Sequence, residues 1–126
     1  LLFSKISRIL LQKQELKFLE KVFVRRFNRT KSGAKEREIS FDLNLYDIFD
    51  KWESQKGICH YTGMQMSLDV GNRDIVSIDR INSDLGYTRD NTVLCSLQVN
   101  LMKGDLILKD FYKYCKLILA RENITK

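Results

Sequence analysis

Between Ser77 and Lys103 the chain sets oxygen-bearing side chains at intervals that suit a divalent metal ion. Asp79 ends a run rich in β-branched residues, Val76-Ser77-Ile78, and Asn100 follows 21 positions later in a helix-forming stretch, Ser96 to Met102. A β-hairpin running into a helix can bring a strand-end carboxylate and a helix-borne amide to one ion. Two such oxygen ligands favour Mg²⁺ or Mn²⁺ over softer metals. The ion would bridge a phosphate oxygen and stabilise the charge that develops as a phosphodiester breaks. Taken alone, an Asp at a strand end among turn residues serves as readily as a cap or loop former. Upstream, Cys59-His60-Tyr61-Thr62-Gly63 adds a tight turn that holds the one histidine of the chain.

These groups need elements to position them, and the apolar pattern predicts an α+β fold. Phe3, Ile6, Leu10, Leu16, Leu19, Val22, Phe23 and Phe27 recur near helical spacing, which predicts a helix over residues 3–28. Lys13, Lys17, Lys21, Arg25 and Arg29 fall four apart, so they form a basic flank beside the apolar one, with Arg26 adjoining. Such a helix either docks on the core as an ordinary surface helix or lies against phosphates. Thr30 to Ser40 is polar, contains Ser32-Gly33 and lacks periodicity, so it reads as a linker or mobile loop. A second helix is expected over about 42–55, capped by Ser40 or Asp42, with Leu45, Ile48, Phe49 and Trp52 on one face. Trp52 lies on that stripe as a core anchor. From Gly57 the period changes: a knuckle turn, then short antiparallel strands at Met66–Leu68 and Val76–Ile78 about Gly71-Asn72. Residues 79–90 make a polar loop, Thr92–Cys95 a strand or helix lead-in, and 108–121 a last helix with Phe111, Tyr114, Cys115, Ile118 and Leu119 on one side.

A chain of 126 residues, 44% hydrophobic and 30% charged, has room for one modest core, with residues 1–40 forming a basic helix and linker ahead of a domain over 41–126. Residues 1–37 carry 11 Lys/Arg against 3 Asp/Glu, whereas 38–126 carry 11 against 13, so the net charge of +6 comes wholly from the first third. A concentrated basic segment attracts polyanions and releases counterions, which makes nucleic acid, DNA or RNA, the leading partner, although a charge run taken alone is more often a solvated helix face. No apolar run nears the length needed to cross a bilayer, so no membrane partner is expected. A long amphipathic helix serves homodimerisation equally well. The odd count of three cysteines suits a reducing, intracellular setting. Richness in Lys, Ile, Leu and Asn with no proline hints at an AT-rich phage, virus or organelle genome. Beginning at Leu1 rather than Met, the chain reads as a trimmed or excised segment.

The arrangement as a whole resembles the active-site segment of the HNH, or ββα-metal, endonucleases. Cys59-x-x-Thr62-Gly63, Ser77-Ile78-Asp79-Arg80-Ile81-Asn82, Gly86-Tyr87-Thr88, Asn91 and Asn100-x-x-Lys103 occur in family order with family-like spacing over about residues 42–104. The resemblance implies a hairpin–helix metal core with flanking helices. Within it Asp79 and Asn100 are the metal ligands, Asn91 steadies the active-site loop, and Lys103 lies near a phosphate. Gly86 is expected to permit a positive-φ turn and Tyr87 to cover the loop.

Two departures from the family stand out. Arg80 occupies the position where most members carry the histidine that activates water. A guanidinium stays protonated, so it cannot take that proton, although it can clamp a phosphate through paired hydrogen bonds. His60 is the leading substitute base, with Tyr61 and Tyr87 behind it because a phenol titrates near pH ~10. Deprotonation by the substrate or by solvent is a slower route. Many relatives also staple the fold with two Cys-x-x-Cys pairs around zinc. Of the matching positions Cys59, Thr62, Ser96 and Val99, only the first is a ligand, so no structural zinc is expected. Ile58, Tyr61, Leu94 and Leu97 must then hold the knuckle, with Cys95 and Cys115 as small core residues. The leading expectation is a Mg²⁺- or Mn²⁺-dependent DNA endonuclease with phosphate contacts from Arg80, Lys103, Lys17, Lys21, Arg25, Arg26 and Arg29. The alternative is a non-catalytic nucleic-acid-binding domain of the same fold, such as part of a ribonucleoprotein. A plain structural domain is the third and poorest reading.

Overall fold

The computed structural model describes the backbone of residues 2–125 and the side chains of residues 9, 10 and 12–124. Its elements run α1 (Leu2–Glu36), α2 (Leu45–Gln55), β1 (Val76–Arg80), β2 (Thr92–Ser96), α3 (Leu97–Lys103) and α4 (Leu108–Thr125), an α+β order.

Helix α1 continues through most of the stretch expected as a linker. Between Thr30 and Glu36 only Ala34 is fully buried, so a helix there shows no apolar period to read. The helix stops in a Schellman motif: Ile39 N donates to Ala34 O (2.8 Å), Glu38 N donates to Lys35 O (3.2 Å), and Glu38 takes φ 57°. The second half of α1 supplies the core. Phe23 is fully buried and meets Phe49 and Trp52 edge-on, at 5.1 and 5.3 Å between ring centroids, while Phe27 meets Phe41 at 5.3 Å. Trp52 is thus the anchor its position on the stripe implied. Leu10 and Leu16, expected on the buried face, are exposed, as no element among the described residues covers them. Phe3 and Ile6 lie outside the described side chains.

Helix α2 starts later than expected, at a capping box formed by Asn44. Asp47 N donates to Asn44 Oδ1 (3.1 Å) and Asn44 N donates to Asp47 Oδ2 (2.8 Å). Ser40 and Asp42 have another use: Tyr87 N donates to Ser40 O (2.9 Å) and Asp42 N donates to Tyr87 O (2.8 Å), which ties the segment before α2 to the 81–91 loop. Gly86 is needed there for close approach rather than for positive φ. A Cβ on it would collide with Ser40 Oγ and lie 2.7 Å from Ser40 O.

The hairpin differs from the expected one. β1 pairs antiparallel with β2 in the register Val76↔Ser96, Ile78↔Leu94 and Arg80↔Thr92, so the hairpin loop is 81–91 and not Gly71-Asn72. The Met66–Leu68 segment meets the start of β1 in an isolated parallel bridge, Ser67↔Ile75, with Val76 N donating to Ser67 O (3.0 Å). Every residue of both strands is buried, so the alternation that marks a strand's partner was absent from the sequence. Ser96 then caps α3, its side chain accepting from Val99 N (3.3 Å), so helix follows strand without a loop. In α4 only Phe111 of the predicted stripe is buried. Tyr114, Ile118 and Leu119 are exposed, and so is Cys115, which is therefore not the core residue expected. Among the described residues no helix is long and apolar enough to cross a membrane.

Candidate metal and phosphate site

Ser77 and Asp79 stand two apart on β1 and so share one face of the strand. Asn100 and Lys103 stand three apart on α3 and meet that face. Asn100 Nδ2 donates to Ser77 Oγ (2.7 Å) and more weakly to Ile78 O (3.5 Å). A carbonyl can only accept, so the amide nitrogen faces the strand. Among the described residues nothing donates to Asn100 Oδ1 within hydrogen-bond range.

Lys103 is buried, and its Nζ lies 3.2 Å from Asp79 Oδ2 and 3.4 Å from Oδ1 while donating to Arg80 O (3.0 Å). Its ammonium thus neutralises Asp79 directly and does not project to a surface phosphate. Tyr61 Oη donates to Asp79 Oδ2 (2.7 Å). Burial pushes the Tyr61 phenol well above its usual range, and the hydrogen bond to Asp79 and its negative charge push it further. Tyr61 therefore keeps its proton, which removes it as a base.

Arg80 turns inward. Its Nη1 donates to Ser83 O (2.8 Å) and Leu85 O (2.9 Å), and its guanidinium lies 5.3 Å from the Tyr87 ring centroid. Those donors fold the loop rather than face solvent. Asn91 works on the same loop: its Oδ1 accepts from Asn82 N (2.9 Å), and its Nδ2 donates to Asn82 O (3.0 Å) and Gly86 O (2.9 Å). Tyr87 is buried beneath Arg80 and against Phe41. His60 is exposed and meets Tyr61 edge-on at 5.0 Å, so it stands at one remove from Asp79. Along α1, Lys17, Lys21 and Arg25 are exposed on one flank, while Arg26 and Arg29 border a cleft shared with Ser77 and Asn100.

The knuckle is held by a side chain that spacing did not single out. Gln55 Nε2 donates to Ile58 O (2.8 Å) and Leu94 O (2.9 Å), and its Oε1 accepts from Leu94 N (2.9 Å), which bolts the turn to β2. Cys59 Sγ accepts from Ser96 N (3.4 Å). Among the described residues no cluster of three or more His, Cys, Asp or Glu side chains forms. Burial pushes the Cys95 thiol upward, and the charge of Asp79 adds to it. Tyr61, expected to hold the knuckle or act as a lesser base, instead donates to Asp79, and Ser77, given no role of its own, partners Asn100. Ser77 was within reach of the i, i+2 strand rule once Asp79 was chosen, whereas nothing in the spacing marked Gln55.

As donors, the Asp79 carboxylate and the Asn100 amide oxygen are hard oxygen ligands of the kind Mg²⁺ and Mn²⁺ take. They fit such an ion in chemistry, although Lys103 competes with it for the carboxylate. Comparison with family models, with curated proteins and with solved structures gives no match to this chain.

Proposed function

We propose that the chain is a metal-dependent DNA endonuclease of the HNH, ββα-metal type. The observation that carries this reading is the hairpin–helix unit itself: Asp79 on β1 beside Lys103 on α3, with Asn100 one turn earlier and Asn91 bracing the intervening loop. Asp79 and Asn100 would hold Mg²⁺ or Mn²⁺. When bound, the ion would polarise a phosphate oxygen and stabilise the departing 3′ oxygen. Lys103 keeps the buried carboxylate neutralised and oriented, and Tyr61 fixes one of its oxygens. Arg80 and Asn91 stiffen the loop that walls the site. His60, exposed and edge-on to Tyr61, would be the group that takes the proton from water.

The test is nicking of supercoiled plasmid DNA with Mg²⁺ or Mn²⁺ by wild type, Asp79→Ala, Asn100→Ala and His60→Ala. The reading expects cleavage by wild type, loss in the first two variants, and a fall of about 10²-fold or more without His60. Absence of any metal-dependent nicking by wild type sinks it. Full activity in His60→Ala removes only His60 as base.

One observation favours the non-catalytic alternative. The Asp79 carboxylate already has an ammonium and a phenol as partners, so its charge is compensated without a metal ion. A nucleic-acid-binding domain would keep that pair purely for folding.

A further inference from the structure

Where the last turns of α1 cross the junction of β1 and α3, a cleft of about 220 Å³ opens. One wall carries Arg26, Arg29 and Arg37 with Gly33 between them, and the other carries Ser77 and Asn100. No acidic residue lines it. Among the described residues none of the three arginines forms a salt bridge. Burial lowers the Arg26 pKa, and the neighbouring charges of Arg29 and Arg25 lower it further, as expected of crowded guanidiniums that lack an anion. Ser77 Oγ accepts from Asn100 Nδ2, which leaves the hydroxyl proton for an acceptor entering the cleft.

Gly33 is the telling residue. Glycine within a helix costs up to ~1 kcal/mol against alanine, so its presence needs a local reason. It has an ordinary helical φ, and an added Cβ would meet only Arg37 Nη2, at 3.9 Å. Packing does not demand glycine there. The open wall of the cleft is what a side chain would remove.

We propose that this cleft seats a backbone phosphate of a nucleic-acid strand, with Arg26, Arg29 and Arg37 neutralising it and Ser77 donating to it. Three guanidiniums around one small concavity match the fork geometry of phosphate oxygens. Asn100 lies on the cleft wall and also belongs to the candidate metal centre, so the seated phosphate is a close neighbour of the one to be cut. Lys17, Lys21 and Arg25 continue the track along the exposed flank of α1. The inference rests on the nucleic-acid reading above but not on its catalytic step.

The experiment is fluorescence anisotropy of the full chain with a short labelled DNA duplex, in EDTA, over a series of KCl concentrations. Gly33→Leu fills the cleft without changing charge and favours the helix. It should weaken binding by about tenfold and flatten the plot of log K against log salt by about one unit, the loss of one phosphate contact. Arg29→Gln and Arg37→Gln should each weaken binding similarly. Lys116→Gln on α4, which removes the same charge from a residue that does not line the cleft, should change binding less than about twofold. If wild type binds and Gly33→Leu, folded by circular dichroism, matches it in affinity and slope, the cleft assignment is wrong while the nuclease reading is untouched. If wild type binds no DNA, the cleft assignment falls, and the metal-dependent nicking assay decides the nuclease reading separately. Binding weakened by Gly33→Leu in a protein that never nicks plasmid supports the cleft and removes the nuclease.

Discussion

Lys103 Nζ sits 3.2 Å from Asp79 Oδ2, and both side chains are buried. A buried ion pair is weak evidence of net stability, but removing one partner strands the other charge in a poorly solvated place. Lys103→Met is therefore expected to destabilise the fold by about 3 kcal/mol, and Asp79→Asn by a similar amount. The double variant should recover part of the loss, because neither charge is then left alone. Urea denaturation of the four proteins checks it, and strictly additive losses would show that the pair is uncoupled.

Arg80→Lys keeps the charge but loses the paired donation to Ser83 O and Leu85 O and the planar contact with Tyr87. The expected cost is about 1–3 kcal/mol, with faster amide exchange across residues 82–87 and little change in α2. Unchanged exchange in that loop would count against Arg80 as its organiser.

Gln55→Leu removes an amide that satisfies both Leu94 N and Leu94 O. Leu94 is fully buried, so its N–H would lose a partner that water cannot readily replace, while Leu94 O would keep the His60 N–H at 3.0 Å. A loss of about 2 kcal/mol is expected in thermal or urea unfolding, larger than for an exposed glutamine. Gln55→Glu keeps an acceptor for Leu94 N but sets a carboxylate oxygen against the Ile58 and Leu94 carbonyls, so it should cost at least as much as Gln55→Leu at neutral pH.

The raised pKa of Tyr61 sets the alkaline behaviour. Its phenol ionises in the unfolded chain near the ordinary value of 10.0 but resists ionisation in the fold, first through burial and then through Asp79. The unfolded state therefore releases protons first as pH rises, so this contribution to stability is intact below pH ~10 and declines above it. Cys95, also raised by burial, acts in the same direction from about pH 9, its ordinary value being 9.0. Urea midpoints between pH 8 and pH ~11 should fall for wild type and fall less steeply for Tyr61→Phe. Equal slopes would remove Tyr61 as a source of the decline.

Much of the local structure was legible because it follows from short-range chemistry. The apolar stripe of Leu45, Ile48, Phe49 and Trp52 announced α2, and Ser96 announced the start of α3. Fully buried strands gave no alternation, so β1 was visible while its pairing with β2 was not. The extension of α1 past Thr30 was hidden because only Ala34 there meets the core. That Asp79 lies on a strand, that Asn100 lies on the helix after it and that Asn91 braces the intervening loop were legible from type and spacing. That Arg80 and Lys103 turn inward was not, because a long cationic side chain has the same sequence signature whether it meets solvent or a buried oxygen.

By itself, the sequence determined the helices by their periodicity, the concentration of positive charge in the first third, and the set of polar residues between Ser77 and Lys103. Only the tertiary structure decided which oxygen each donor meets. It set Lys103 and Tyr61 on Asp79, Arg80 on the carbonyls of its own loop, and Arg26 and Arg29 of α1 with Arg37 just past its end around a cleft beside Asn100. The reason is that hydrogen bonds and ion pairs act over a few ångströms, and residues 24 or 40 positions apart in the chain, such as Asp79 from Lys103 and Ser77 from Arg37, come near one another only when strand register and helix crossing are fixed.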